Sequence, residues 1–170
     1  MKKVAKFYKV SKEQFVEGYM DSLKTKDRQK AQEAYENLKL PRRATTGSAG
    51  YDFYLTCDIC LKPGETIKIP TGIRAKMLED WVLLLMPRSG LGFKYRLQLN
   101  NTVGVIDSDY FNSDNEGHIF ARITNDSNEG KTLELKEGEA FMQGLFMPYG
   151  IVEDDDADGI RNGGMGSTSK

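Results

Sequence analysis

Histidine is nearly missing from this chain. Its 170 residues hold one, His118, and two cysteines, Cys57 and Cys60. A zinc centre needs about four ligands, mostly nitrogen or sulfur, so a His/Cys metal site is excluded. Cys57-Asp-Ile-Cys60 has the spacing of a redox pair, but such pairs sit in a βαβ context that this sequence lacks. Positions three apart on a strand face opposite sides, so the two are read as ordinary thiols. His118, in Gly117-His-Ile-Phe120, is read as a packed strand residue. No apolar run nears the roughly 18 residues of a membrane helix. The start, Met1-Lys-Lys-Val-Ala-Lys6, lacks the apolar stretch of a signal peptide. A cytoplasmic protein without membrane contact is expected. Charge of one sign is missing too: 24 Lys and Arg against 25 Asp and Glu leave a net charge of -1. No overall basic field draws this protein to nucleic acid.

The length suits one domain, and 39% hydrophobic residues give an ordinary balance for a packed core. Residues 1–40 contain no proline and a single glycine, Gly18. Ser11-Lys-Glu-Gln14 has capping-box spacing. Phe15, Val16, Tyr19, Met20 and Leu23 then recur at helical intervals, and a second set follows in Ala31, Ala34, Tyr35 and Leu38. This predicts a helical N-terminal region broken at Lys24-Thr-Lys-Asp27 and ended by Pro41. Ten basic against six acidic side chains give the region a local +4. That suits a solvated helix face or a partner surface.

From Pro41 onward the pattern turns to short β runs. Strands are predicted over 51–55, 66–69, 73–77, 81–86, 102–106, 118–123, 132–135 and 140–149. Turn signals such as Pro63-Gly64, Thr71-Gly72 and Glu137-Gly138 punctuate them. Eight short strands without strand–helix alternation read as an all-β sandwich or jelly roll. Residues 153–170 are acidic and then glycine-rich, with nothing to build a core, so a mobile arm is expected.

Three stretches carry chemistry. Val103 to Ile106 is apolar and ends in Asp107. On a strand, Asp107 shares a face with Val103 and Val105, and a carboxylate there needs a reason. A strand-end turn is one reason; a general base is another. Pro87-Arg-Ser-Gly-Leu-Gly92 follows a predicted strand. If Ser89 caps a helix, the free N–H groups of the first turn attract phosphate and Arg88 adds charge. The alternative is a simple capped turn. The tail, Arg161-Asn-Gly-Gly-Met-Gly-Ser-Thr168, offers backbone N–H groups and hydroxyls to an anion. It lacks the Gly-Lys-Ser/Thr ending of a Walker loop. Asp52, in Ala49-Gly-Tyr-Asp52, again interrupts apolar residues. Two phosphate-like loops with several carboxylates suit polyphosphate hydrolysis, which needs an aligned substrate, charge neutralisation and an aimed water. Magnesium would bridge the phosphate oxygens.

In order, Ala49 to Asp52, Pro87 to Gly92, Gly104 to Tyr110, a strand with Gln143 and the glycine-rich tail resemble the five motifs of the trimeric dUTPases, over about residues 40–170. The helical start and Phe111-Asn-Ser-Asp-Asn-Glu-Gly117 resemble Gram-positive bacterial and phage versions. The resemblance implies a jelly roll with a helical N-terminal extension (1–40), a catalytic domain (41–152) and an arm that closes over the site (153–170). It implies hydrolysis of dUTP to dUMP and pyrophosphate by a homotrimer whose sites are shared between subunits, with Mg2+ held by the triphosphate and water. Asp107 resembles the base that orients water toward the α-phosphorus, with Gln143 helping to hold that water and Asp52 supporting the metal's hydration shell. Arg88, Ser89 and Gly90 resemble phosphate contacts. By the same resemblance Asn101, Gly104, Val105 and Ile106 would belong to the hairpin that reads uracil, and Tyr110 resembles the residue under the deoxyribose. Arg161, Gly163, Gly164, Met165, Gly166, Ser167 and Thr168 would close over the nucleotide. The family usually has Phe where this chain has Met165. Two alternatives stand beside this. One is dCTP deaminase of the same fold, which usually follows the shared Asp with Pro-Gly. The other is a regulatory jelly roll that binds a repressor.

Overall fold

The computed structural model describes residues 1–163. Eleven strands, three helices and a 3-10 turn make up the described chain. All strand pairing is antiparallel. The larger sheet is built from β2 (Tyr51–Tyr54), β11 (Ala140–Pro148), β6 (Trp81–Pro87) and β8 (Gly104–Ile106), in that spatial order. A second sheet orders β4 (Thr66–Pro70), β9 (Phe120–Asn125) and β7 (Leu97–Leu99). Two ribbons complete the β structure: β1 (Ala5–Lys9) on β5 (Ile73–Met77), and β10 (Leu133–Leu135) on β3 (Ile59–Leu61). Buried residues from all these elements form one core, with Phe53, Leu83 and Phe141 from the first sheet, Ile69 and Ile123 from the second and Leu133 from a ribbon.

The N-terminal region is where sequence and structure differ most. Residues 12–23 and 28–36 form helices α1 (Lys12–Leu23) and α2 (Arg28–Glu36). Lys24, in the left-handed region at φ 51°, stops α1, and Asp27 caps α2 by accepting from the Lys30 N–H at 2.9 Å. Phe15, Val16, Tyr19, Ala31 and Ala34 are the buried face. Ahead of them, however, Ala5–Lys9 is a strand, where a helical region was expected. Its local composition does not decide this. Its pairing does: Phe7 sits opposite Ala75 and packs edge-on against Tyr51 and Phe53. Strand propensity is largely a response to such neighbours.

Three glycines mark where a neighbour's side chain presses on the backbone. A Cβ on Gly104 would lie 3.0 Å from Leu85 Cβ, its register partner on β6. One on Gly144 would meet Leu83 and Phe53, each at 2.9 Å. One on Gly50 would lie 2.4 Å from Gln143 Oε1. The two cysteines are separate thiols: Cys57, in the bend ahead of β3, is buried, with burial pushing its thiol up to about 11, and Cys60, on β3, is exposed.

His118 does not lie in a strand; β9 begins two residues later, at Phe120. The reason is its side chain. The imidazole is fully buried, and its Nε2 accepts from the Gly72 N–H at 2.9 Å. Ile119 donates to Ile73 O and accepts from Thr71, so residues 118–119 bind the β4–β5 turn before regular pairing starts. No described helix is long and apolar enough to cross a membrane.

Candidate active site

β8 carries the first half of the site. It lies on β6 with Leu83 opposite Ile106, Leu84 opposite Val105 and Leu85 opposite Gly104. Gly104 and Ile106 face inward, and Val105 faces out, 57% exposed. Asp107 therefore falls on the open face, not a buried one as the apolar run implied. Its side chain is 50% exposed. The carboxylate needs no buried partner, because the Val103–Val105–Asp107 side looks into a cavity of about 740 Å³. That cavity is walled by Asn101, Val103 to Asp107 and Tyr110 from the hairpin, and by Lys68, Phe120 and Arg122 from the second sheet.

After Asp107 the chain makes a 3-10 turn, Ser108–Asn112. The turn carries Tyr110 inward, where it is 4% exposed. Its hydroxyl donates to His118 O at 2.7 Å and accepts from Asn115 Nδ2 at 2.9 Å. Burial pushes this phenol's pKa up; the Asn115 hydrogen bond and nearby Arg161 act against that. With the hydroxyl engaged by protein, Tyr110 offers the cavity only ring carbon. Arg161 arrives from the far end of the sequence. Its Nη2 meets Asp107 Oδ2 at 2.5 Å and its Nε meets Asp109 Oδ1 at 2.8 Å. The guanidinium sits 5.9 Å from the Tyr110 ring centroid, and its side chain is only 18% exposed.

The second half is elsewhere. Gln143 on β11 pairs with Asp52 on one side and Met86 on the other. Arg88 Nε stands 3.3 Å from Asp52 Oδ1. α3 (Ser89–Tyr95) starts just beyond, with Arg88 as its N-cap residue and no side-chain cap. Ser89 is thus inside the first turn and not the capping residue expected from the sequence. Its N–H and that of Gly90 belong to the turn whose donors have no helical acceptor.

These halves lie at opposite ends of one strand. Continuing the β8 register places Asp107 opposite Val82. Arg88 is six residues further along that strand, and at about 3.3 Å per residue this is roughly 20 Å. One chain therefore brings Asn101, Gly104, Val105, Ile106, Asp107, Tyr110 and Arg161 together, and brings Asp52, Arg88, Ser89, Gly90 and Gln143 together, but does not join the sets. Gly163 ends the described chain. Gly164, Met165, Gly166, Ser167 and Thr168 lie outside the described residues.

Sequence reasoning missed Lys68, Phe120, Arg122 and Asn115 as lining residues. Lys68 and Arg122 are register partners on β4 and β9. In the sequence they are merely outward polar positions. Asn115 had a signal, since it falls in the long segment after Tyr110.

Comparison with known proteins bears on all of this. Residues 36–169 match the family model described as dUTPase. The deoxyuridine 5'-triphosphate nucleotidohydrolase of Lactococcus lactis is 42% identical over 139 residues, covering 79% of this chain and 91% of the relative. That of Tolumonas auensis is 38% identical over 139 residues, covering 77% and 87%. The crystal structure of dUTPase from Streptococcus mutans superimposes with a TM-score of 0.61 at 43% identity, over 69% of this chain and 91% of that one. A dUTPase from phage phi11 of S. aureus, at 21% identity and TM-score 0.64 over 92% and 97%, shares the fold. With a family match over most of its length and relatives this similar, the chain belongs to the dUTPase family.

Proposed function

We propose that this protein hydrolyses dUTP to dUMP and pyrophosphate, with water attacking the α-phosphorus. The observation that carries the reading is Asp107. It stands half-exposed at the mouth of the hairpin cavity, beside a guanidinium suited to phosphate. Asp107 takes the proton of the attacking water, and Gln143 helps to hold that water. The base lies against Asn101 and the Gly104–Ile106 backbone, and the sugar lies on Tyr110. The second half, Arg88 with the N–H groups of Ser89 and Gly90, takes phosphate oxygens. Arg161 pairs with Asp107 and Asp109 in the free chain. Charge-assisted bonds to a triphosphate compete for the same guanidinium, and its transfer to phosphate frees Asp107 to act as base. Residues 163–168 are read as closing over the nucleotide, with Met165 on the base.

Magnesium fits the second half. Asp52 already shares an oxygen with Arg88, so it suits contact through the ion's water shell, which Mg2+ gives up reluctantly. When bound to the triphosphate, Mg2+ neutralises phosphate charge and orders the oxygens.

Since one chain separates the halves by roughly 20 Å, a working site needs a second copy. We read the assembly as a homotrimer with C3 symmetry. Residues 1–40 are an extension bearing two helices, 41–152 the catalytic jelly roll and 153–170 the closing arm.

Pyrophosphate release from dUTP against dTTP, dCTP and UTP tests the reading, with ammonia release from dCTP as the check for a deaminase. Asp107→Asn is expected to keep nucleotide binding and lose at least about a hundredfold in turnover, the lower end for a general base. Near-normal turnover in that variant removes Asp107 from the mechanism.

A further inference from the structure

The segment Phe111–Gly117 is built around one side chain that the proposed chemistry does not use. Asn115 Oδ1 accepts from the Gly117 N–H at 3.2 Å and lies 2.8 Å from Ser113 Oγ. A backbone N–H can only donate, so the amide oxygen must face Gly117. The amide nitrogen is thereby turned to Tyr110, whose hydroxyl it reaches at 2.9 Å. Tyr110 donates its own hydroxyl proton in a hydrogen bond to His118 O. The phenol is thus held from both sides, and Asn115 and Tyr110 together line the cavity.

The next residue fastens this loop to a distant part of the chain. Glu116 accepts from the Ser11 N–H at 2.7 Å and from Ser11 Oγ at 2.6 Å. Ser11 caps α1 by accepting from the Gln14 N–H at 3.2 Å. In a capping box the third residue of the helix returns the favour to the cap's N–H. Here Gln14 does not; its amide lies 3.5 Å from His118 Nδ1, and Glu116 supplies the missing acceptor. A carboxylate at a helix N-terminus is also favoured by the helix dipole. The start of the loop is held by Arg74, which donates to Phe111 O at 2.5 Å and stacks 3.6 Å above the Phe111 ring centroid. Ser11 and α1 precede residue 36, where the family match begins, so the fastening uses a part of the chain that the match does not span.

We propose that Asn115 is the positioning residue for sugar discrimination, fixing the Tyr110 ring against the nucleotide, and that the N-terminal segment holds it there through Ser11 and Glu116. This rests on the reading that Tyr110 lies under the deoxyribose. A ring locked by two hydrogen bonds cannot retreat from an added 2′-hydroxyl. A ring released from Asn115 can tilt and admit one.

The test is kcat/KM for UTP relative to dUTP in the full-length protein. Asn115→Asp keeps the oxygen that serves Gly117 and Ser113 but puts an acceptor against the phenol oxygen. Tyr110→Phe keeps Asn115 and removes the hydroxyl. Each is expected to raise the UTP:dUTP ratio about tenfold, matching the ~1.4 kcal/mol of one lost hydrogen bond. The change for dUTP should fall on KM more than kcat, because Asn115 is remote from the reacting phosphorus. The double variant should add nothing beyond either single one, as coupled residues require. Glu116→Ala should move the ratio the same way by less. Tyr110→Ala is the control. If it shifts the ratio while Asn115→Asp and Tyr110→Phe do not, Asn115 is only a loop residue and the proposal is wrong. If Tyr110→Ala itself leaves the ratio unchanged, the sugar reading of Tyr110 fails and takes the proposal with it. A flat response in Glu116→Ala alone removes the N-terminal segment from the device. Should Asn115→Asp fail to fold, Tyr110→Phe decides.

Discussion

His118 joins three segments with one neutral ring: the loop after Asn115, the β4–β5 turn through Gly72, and α1 through Gln14. Burial, with a smaller push from Lys68, lowers its pKa to about 3. Unfolded, it titrates near 6.5. The unfolded chain therefore binds a proton below 6.5 that the folded one refuses down to about 3. This part of the stability is fully present above 6.5 and is lost as pH falls through the window between the two values. Between pH 7 and pH 5 the loss amounts to about 2 kcal/mol. Urea midpoints at the two pH values check it, and His118→Gln should flatten the difference; an equal fall in that variant would assign the effect elsewhere. Glu116 acts lower on the scale. Burial raises its pKa, but hydrogen bonds from Ser11 outweigh that and hold it below the usual range. Its contribution is thus lost only as pH falls through the carboxylate region. At this scale the sequence was legible for identity but not for surroundings. Asp107 stood out at the end of an apolar run, yet nothing in that run told whether its face was core or cavity. His118 looked like a strand residue because its partners, Gly72 and Gln14, are far away in sequence.

Elements were legible where turn residues bound them. Of the eight predicted strands, Ile73–Met77 has the expected limits and others shift by a residue or two at an end. Three strands went unseen: Ala5–Lys9, Ile59–Leu61 and Leu97–Leu99. Two have three residues, too few for a period to show, and the first, Ala-Lys-Phe-Tyr-Lys, sets two aromatics side by side between lysines, with no glycine or proline beside it. Each is defined by its partner and not by its own residues: β1 by β5, β3 by β10 and β7 by β9. The motif Ala49-Gly-Tyr-Asp52 has an element-scale reason for its glycine. Tyr51 and Asp52 pair with Gly144 and Gln143 on β11, which leaves Gly50 directly beneath the Gln143 amide. Gly50→Ala puts a Cβ 2.4 Å from Gln143 Oε1 in the unrelaxed structure, so the amide must swing away. A misplacement of about 1 Å in a reacting constellation costs up to about a hundredfold. A fall in kcat of about ten- to a hundredfold with an unchanged melting curve is expected. Unaltered kcat would mean that Gln143 does not hold the water.

At the scale of the whole molecule, the separation of the two half-sites makes a prediction that a single chain cannot meet. The register of β6 with β8 and β11 sets Asp107 near one end and Gln143, with Arg88 just beyond, near the other. No rotation of side chains spans roughly 20 Å of strand. In the cyclic trimer proposed above, contacts run head to tail, and the proposal sets the Asp107 end of one copy against the Arg88 end of the next. Asp107→Asn and Arg88→Ala homotrimers should then both be nearly inactive, for different reasons. Unfolded together, mixed in equal amounts and refolded, they form mixed rings. An intact site arises wherever an Arg88→Ala copy supplies Asp107 and its neighbour, an Asp107→Asn copy, supplies Arg88. Random assembly puts about a quarter of all sites in that arrangement, given closed head-to-tail symmetry. Activity near that share of wild type should appear in the mixture and in neither parent alone. Mixing without unfolding should restore it only as fast as subunits exchange. Light scattering on the same samples gives the mass of the assembly, and a monomer at micromolar concentration would contradict the trimer. No recovery after refolding, with trimers formed, would mean that both halves serve one site within a single chain, and the strand register forbids that unless the chain rearranges on binding.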